Sequence, residues 1–139
     1  MFSHIFVSVS DFERALRFYG AVMDSLGIEQ RFCDRERPWA GWHSAGGARP
    51  LFVICKPFDG QPHHAGNGQM VSFAATSRAK VRAAYQTALE NGGTCEGPQG
   101  YARSTTTTTT APTFATRTGT SCALPVMPRR LKASKVGAQ

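Results

Sequence analysis

The side chains in this sequence that can do chemistry include four histidines (His4, His43, His63, His64), four cysteines (Cys33, Cys55, Cys95, Cys122), two tryptophans (Trp39, Trp42) and the thioether of Met70. His4 stands at the start of a β-branched and aromatic run, where its imidazole either finds backbone or water partners or is free to bind an ion. His63 and His64 are neighbours on a Gly- and Pro-rich loop. Adjacent residues rarely converge on one ion, so both are expected to be ordinary loop residues. The cysteines are widely spaced with no C-x-x-C, and Cys33, Cys55 and Cys95 are expected to be small buried hydrophobes rather than activated thiols. Met70 is expected in the core or a cavity wall, a thioether being a poor ligand for hard or borderline ions. Trp39, Trp42 and His43 share one strand-like segment. A period of two puts Ala40 and Trp42 on one face and Trp39, Gly41 and His43 on the other. One of these rings can stack on a planar or apolar ligand, with simple packing as the competing reading. No nucleophile-elbow, phosphate-cradling or zinc-ribbon spacing occurs, and the "GNG" at Gly66 to Gly68 is a turn signal without the Lys of a phosphate loop.

The elements that must position these groups follow from periodicity. After "HIFVSV", the pair Ser10 and Glu13 has the spacing of a capping box, and Phe12, Ala15, Leu16, Tyr19, Val22, Met23 and Leu26 recur on one helical face. Gly27 supplies a left-handed stop. Strand-like pieces follow at Ile28 to Cys33, Trp39 to His43 and Leu51 to Cys55, punctuated by Pro38, Pro50 and Pro57. This is the order βαβββ. A second segment, "MVSFAATSRAKVRAAYQTALENGG", repeats the start of that order, pairing His4 with Met70, Tyr19 with Tyr85 and Gly27 with Gly93. Ser77 is its expected N-cap, and Val81, Ala84, Tyr85, Ala88 and Leu89 form its apolar stripe.

The chain has 139 residues and is 41% hydrophobic, enough for one compact domain or two small modules sharing a core. Its net charge of +7 is unevenly spread. Residues 1–101 hold ten basic and nine acidic residues, whereas residues 102–139 hold six basic and no acidic ones. The basic tail lacks interleaved aromatics, so nucleic acid is not the expected partner. No apolar run reaches the roughly 20 residues that cross a bilayer, so a membrane-spanning role is not expected either. Unpaired cysteine spacing, with no charged and apolar leader pattern at the start, predicts a cytoplasmic protein.

The tail differs in kind. After Gly93 a second βαβββ unit needs three more strands, but only "TCEG" reads as strand before the Thr-rich stretch from Ser104 to Thr120. Threonine codons have the form ACN, so a frame shifted back by one base turns each Thr-Thr junction into NAC, which encodes Tyr, His, Asn or Asp. Carried from Thr109 to Ala123, the junctions permit "YGAYFRDPDGNKLC", an aromatic strand, an Asp-Gly turn and a last apolar strand. The competing readings are a disordered basic arm and a mucin-like stalk. The expected organisation is a first βαβββ module over 1–60, the start of a second over 61–101, and an aberrant, frame-shifted tail over 102–139. That tail is expected to be mobile, or ordered only where it borrows the vacant sheet edge of the second module.

The duplicated βαβββ order, the opening "SHIFVSVSDFERALRFYGAVMDSLG", the segment "HHAGNGQMVSFAATSRAKVRAAYQTALENGG" and the out-of-frame hairpin together resemble the vicinal oxygen chelate superfamily, the glyoxalase/bleomycin-resistance/dioxygenase group. The resemblance implies an α+β fold in which tandem βαβββ modules form a curved mixed sheet around a cavity, commonly completed in a homodimer, with the second module incomplete in this frame. It implies a small-molecule ligand. It also implies a divalent metal (Ni, Zn, Fe or Mn) in the metal-dependent members, with His4 at the first ligand position. Met70 stands at the repeat-related position, and "RPLFVICKP" offers no carboxylate. Trp39, Trp42, His43 and Met70 are the expected cavity lining. Two functions remain open: a metal-dependent lyase, isomerase or ring-cleaving dioxygenase acting on a vicinal-oxygen substrate, and a metal-free protein that sequesters a small aromatic or amphipathic compound.

Sequencing the encoding DNA around the codons for Gly100 to Arg103 tests the tail directly. Deleting or restoring one base there is expected to give a chain ending in an acidic, aromatic hairpin with "DPDG" at its turn, and an open reading frame without such a hairpin would refute the shift.

Overall fold

The first element, β1 (His4–Ser8), leads into helix α1 (Phe12–Leu26), followed by β2 (Gln30–Asp34), β3 (Trp39–Ser44) and β4 (Gly47–Cys55). The same order then returns as β5 (Met70–Ser72), α2 (Arg78–Glu90), β6 (Thr94–Cys95), β7 (Thr113–Ala115) and β8 (Ser121–Ala123). The structure, a computed structural model, describes residues 1–44, 47–64, 66, 69–95, 113–115 and 121–123, the last two segments as backbone. The chain is therefore α+β, with two tandem βαβββ modules.

Each module carries a four-stranded sheet, ordered β1-β4-β3-β2 and β5-β8-β7-β6. In both, the first strand runs parallel to the last: His4 is opposite Leu51 in one, and Met70 opposite Ser121 in the other. The second sheet is a reduced copy. Its strands are two or three residues long, against five to nine in the first.

Both β7 and β8 come from the tail, whose composition predicts order only where it borrows a vacant sheet edge. Strand pairing is made by backbone groups, and the Thr and Phe of β7 are good strand formers, so three residues at a time can take up the ladder. β7 and β8 also occupy the positions at which the shifted-frame string has its aromatic strand and its final apolar strand. The remainder of the Thr-rich tail lies outside the described residues.

The two helices begin where short polar side chains can satisfy free N–H groups. At α1 the cap is Asp11, whose Oδ1 accepts from the Arg14 N–H at 3.1 Å. The expected cap was Ser10, one residue earlier; its hydroxyl is instead engaged by the distant loop residue His63. Gly27 ends α1 at φ 73°, in the left-handed region that glycine enters without a Cβ clash. Ser77 caps α2 by accepting from the Lys80 N–H at 3.2 Å. Lys80 then reaches back, donating from Nζ to the Leu26 carbonyl at 3.0 Å. A cation there complements the negative end of α1 and ties the modules together.

The core lies between α1 and the first sheet and continues into the second module. Tyr19, Val22 and Met23 of α1 are almost fully buried against Ala40 and Trp42 of β3 and Ile54 of β4. Ring contacts link Tyr19 to Phe52 (5.1 Å), Trp42 to Phe52 (5.9 Å) and Phe52 edge-on to Phe73 (4.9 Å). Phe73, just after β5, is how the second module enters the core, with Val81, Ala84 and Ala88 of α2. Among the described residues, no helix is long and apolar enough to cross a membrane.

Trp42 is 1% exposed, so its removal leaves a cavity its neighbours cannot fill. Trp42→Ala is expected to cost about 3–5 kcal/mol of stability, measured as a shift in the urea unfolding midpoint.

Candidate functional site

The pleat of the first sheet decides which side chains are available for function. Along β3, Ala40 and Trp42 face the helix and are buried, while Trp39 and Gly41 point away from it. On β1, Val7 packs in the core, and His4, Phe6 and Ser8 take the outer face. Cross-strand register aligns Ser8, Cys55 and Trp39 in one row and Phe6, Val53 and Gly41 in the next. Gly41 has a steric purpose: a Cβ there would collide with the Phe32 ring, which lies across it. Held in that place, Phe32 contacts Trp39 at 4.7 Å between centroids.

This outer face carries a groove of about 570 Å³ whose walls include Phe6, Trp39 and Phe58, with Ser8, Arg37 and Lys56 as polar lining. The segment after β4 is pinned across the end of β1. His63 Nδ1 lies 2.5 Å from Ser8 Oγ, and the His63 backbone N–H donates to Ser10 Oγ at 2.9 Å. His64, next in the chain, is exposed and takes no part, so the two adjacent histidines do not converge.

The expected site residues separate. His4 is exposed at the start of β1, its Nδ1 3.2 Å from Ser3 Oγ and its ring edge-on to Phe6 at 4.8 Å. Trp39 lines the outer groove. Trp42, expected at the cavity, sits in the core instead, on the opposite face of the same strand. His43 and Ser44 line a second, smaller cavity of about 200 Å³ at the seam between modules, together with Met23, Leu51, Val71 and Phe73. The register shift between Trp42 and Ser44 removes His43 from the regular alternation. Met70 is 57% exposed and lines neither cavity. Ser8, Phe6 and Phe58 were not singled out in the sequence, although a period of two counted from His4 leads to Phe6 and Ser8.

Among the described residues, His4 does not have the neighbours a metal requires. Its cross-strand partner is Leu51, and among the described residues no three His, Cys, Asp or Glu side chains converge. With phenylalanine and leucine beside it, His4 supplies one donor of the three or four that a divalent ion needs, and the described residues supply no others that converge with it.

The cysteines also depart from expectation. Cys33 and Cys95 are exposed, being on the edge strand β2 and the two-residue β6, and Cys55 is half-buried. Desolvation pushes the Cys55 thiol above the ordinary thiol range. Its thiolate fraction is therefore reduced, and Ellman's reagent at pH 8 is expected to label Cys33 well before Cys55. Equal labelling rates of the native protein, resolved by peptide mass spectrometry, would contradict this placement.

The comparisons with known proteins agree with the architecture. The model of the Glyoxalase/Bleomycin resistance protein/Dioxygenase superfamily matches residues 1–120. A glyoxalase/bleomycin resistance protein from Albidiferax ferrireducens T118 superposes with a TM-score of 0.76 at 31% identity, covering 92% of this chain and 99% of that one. A glyoxalase-related enzyme from Fulvimarina pelagi gives a TM-score of 0.63 at 14% identity over 92% of this chain and 88% of its own. A glyoxalase/bleomycin resistance protein/dioxygenase family enzyme from Burkholderia phytofirmans PsJN gives 0.64 at 11% identity, over 91% and 98%. A search of curated proteins finds no match. With its duplicated βαβββ modules and a family match over most of its length, the chain belongs to the glyoxalase/bleomycin resistance protein/dioxygenase superfamily.

Proposed function

We propose that this protein binds a small aromatic or amphipathic molecule on the outer face of its first sheet, without a metal, in a sequestration or resistance role. The observation that carries the reading is the groove walled by Phe6, Trp39 and Phe58. Phe6 is half exposed and Phe58 fully exposed, and aromatic surface left in water is stabilised by stacking on a planar ligand. The donor chemistry nearby points the same way, because His4 has no convergent ligand partners among the described residues.

A second reading has one observation in its favour. His4 is an accessible imidazole on β1, on the groove's face, and the superfamily includes metal-dependent lyases, isomerases and ring-cleaving dioxygenases. In that reading His4 is one ligand, and the others come from a partner subunit or from beyond the described residues. We place the chain in a homodimer under either reading, since β5 and β6 are short strands at open sheet edges and unpaired edges favour association.

One purified sample separates these readings. Binding without metal predicts substoichiometric Ni, Zn, Fe and Mn, unaltered by His4→Ala, together with ligand-dependent quenching of tryptophan fluorescence that Trp39→Phe removes. Stoichiometric metal lost on His4→Ala would overturn it in favour of the enzyme. Light scattering of the same sample at micromolar concentration is expected to give the mass of a dimer, and a clean monomer would count against the assembly.

A further inference from the structure

The charged side chains lining the outer groove are of one sign among the described residues. Among these residues, Arg37 and Lys56 line it and no acidic residue does. The nearest carboxylate along the Trp39 row, that of Asp34, is occupied in its own turn, accepting from the Glu36 and Arg37 N–H groups at 2.9 and 3.1 Å. Among the described residues the ion pair is Arg35–Glu13, at 2.9 Å. Arg37 and Lys56 therefore bring positive charge to the mouth of an aromatic groove, while Asp11, Glu13 and Glu36 line the adjacent cavity that Lys56 shares.

The Ser8–His63 contact supplies a third donor. A neutral imidazole carries its proton on one nitrogen, and His63 Nε2 is buried with no hydrogen-bond partner among the described residues. If Nε2 held the proton, an N–H would be orphaned in the interior, which is rarer than a bare acceptor lone pair. We assign the proton to Nδ1, which donates it to Ser8 Oγ across the 2.5 Å contact. The hydroxyl proton of Ser8 is then free to be given to a ligand, and Ser8 lines the groove.

We propose that the groove selects planar aromatic anions. The ring of an aromatic carboxylate stacks on Trp39 between Phe6 and Phe58, and its carboxylate accepts from Ser8 Oγ under the field of Arg37 and Lys56. This rests on the reading of the groove as the ligand site and adds the charge and polarity of what it holds. A groove of about 570 Å³ is in the range of small-molecule sites and accommodates a two-ring acid. The assignment also makes His63 a positioning residue, because it orients Ser8 without touching the ligand.

The test uses three probes with one ring system, 2-naphthoate, 2-naphthalenemethanol and 2-naphthylmethylamine, titrated by calorimetry into the full chain at low and high salt. Naphthoate is expected to bind about tenfold or more tighter than the alcohol, as one charge-assisted hydrogen bond warrants, with the amine weakest. Raising the salt should narrow that order. Ser8→Ala and the pair Arg37→Gln/Lys56→Gln should each weaken naphthoate more than the alcohol and so bring the two affinities close together. Trp39→Leu should weaken all three. If the three probes bind equally and all depend on Trp39, the groove is a ligand site without charge selection and the proposal is overturned. If none binds the wild-type chain, the reading of the groove fails, and the proposal with it.

Discussion

The burial of Trp42 against Tyr19 and Phe52 is the contact on which the rest of the structure depends. It decides which face of the first sheet looks inward. Once Trp42 and Ala40 are committed to α1, strand alternation sends Trp39 and Gly41 outward, and cross-strand register brings Ser8 and Cys55 alongside Trp39. A slip of one residue would exchange the two faces, burying the groove and exposing the core. Phe73 extends the same aromatic cluster into the second module, so the packing that sets the face of the sheet also docks the repeat.

Much of the first module was legible because its signals are local. The helical spacing from Phe12 to Leu26, the stop at Gly27 and the alternation along Trp39 to His43 each depend on neighbours within a few residues. The α1 cap was misplaced by one residue because Ser10 and Asp11 are equally able to cap. What decided between them was His63, more than fifty residues away, taking the Ser10 hydroxyl. The same distance hid the Ser8–His63 contact: a serine in a strand and a histidine in a loop carry no pattern that announces one another. His43 was placed with Trp39 by alternation and left that face through a register shift, a feature with no marker in a run of six residues.

The second module shows how far topology can persist when composition gives it little support. Its helix keeps a proper Ser77 cap and a buried stripe of Val81, Ala84 and Ala88. Its sheet keeps the strand order of the first with ladders of only two or three residues. The long strands and the groove belong to the first module, against which the second packs through Phe73, α2 and the Lys80 bond to the end of α1.

The central claim is that β3 divides its two tryptophans between core and groove, and acrylamide quenching of the two single-tryptophan variants tests it most directly. With Trp39→Phe, the remaining Trp42 should emit in the blue and resist quenching. With Trp42→Phe, the remaining Trp39 should emit further to the red and be quenched readily. Equal quenching of the two in folded protein, or a Trp42 more accessible than Trp39, would mean that the sheet presents its other face and that the groove described above does not exist.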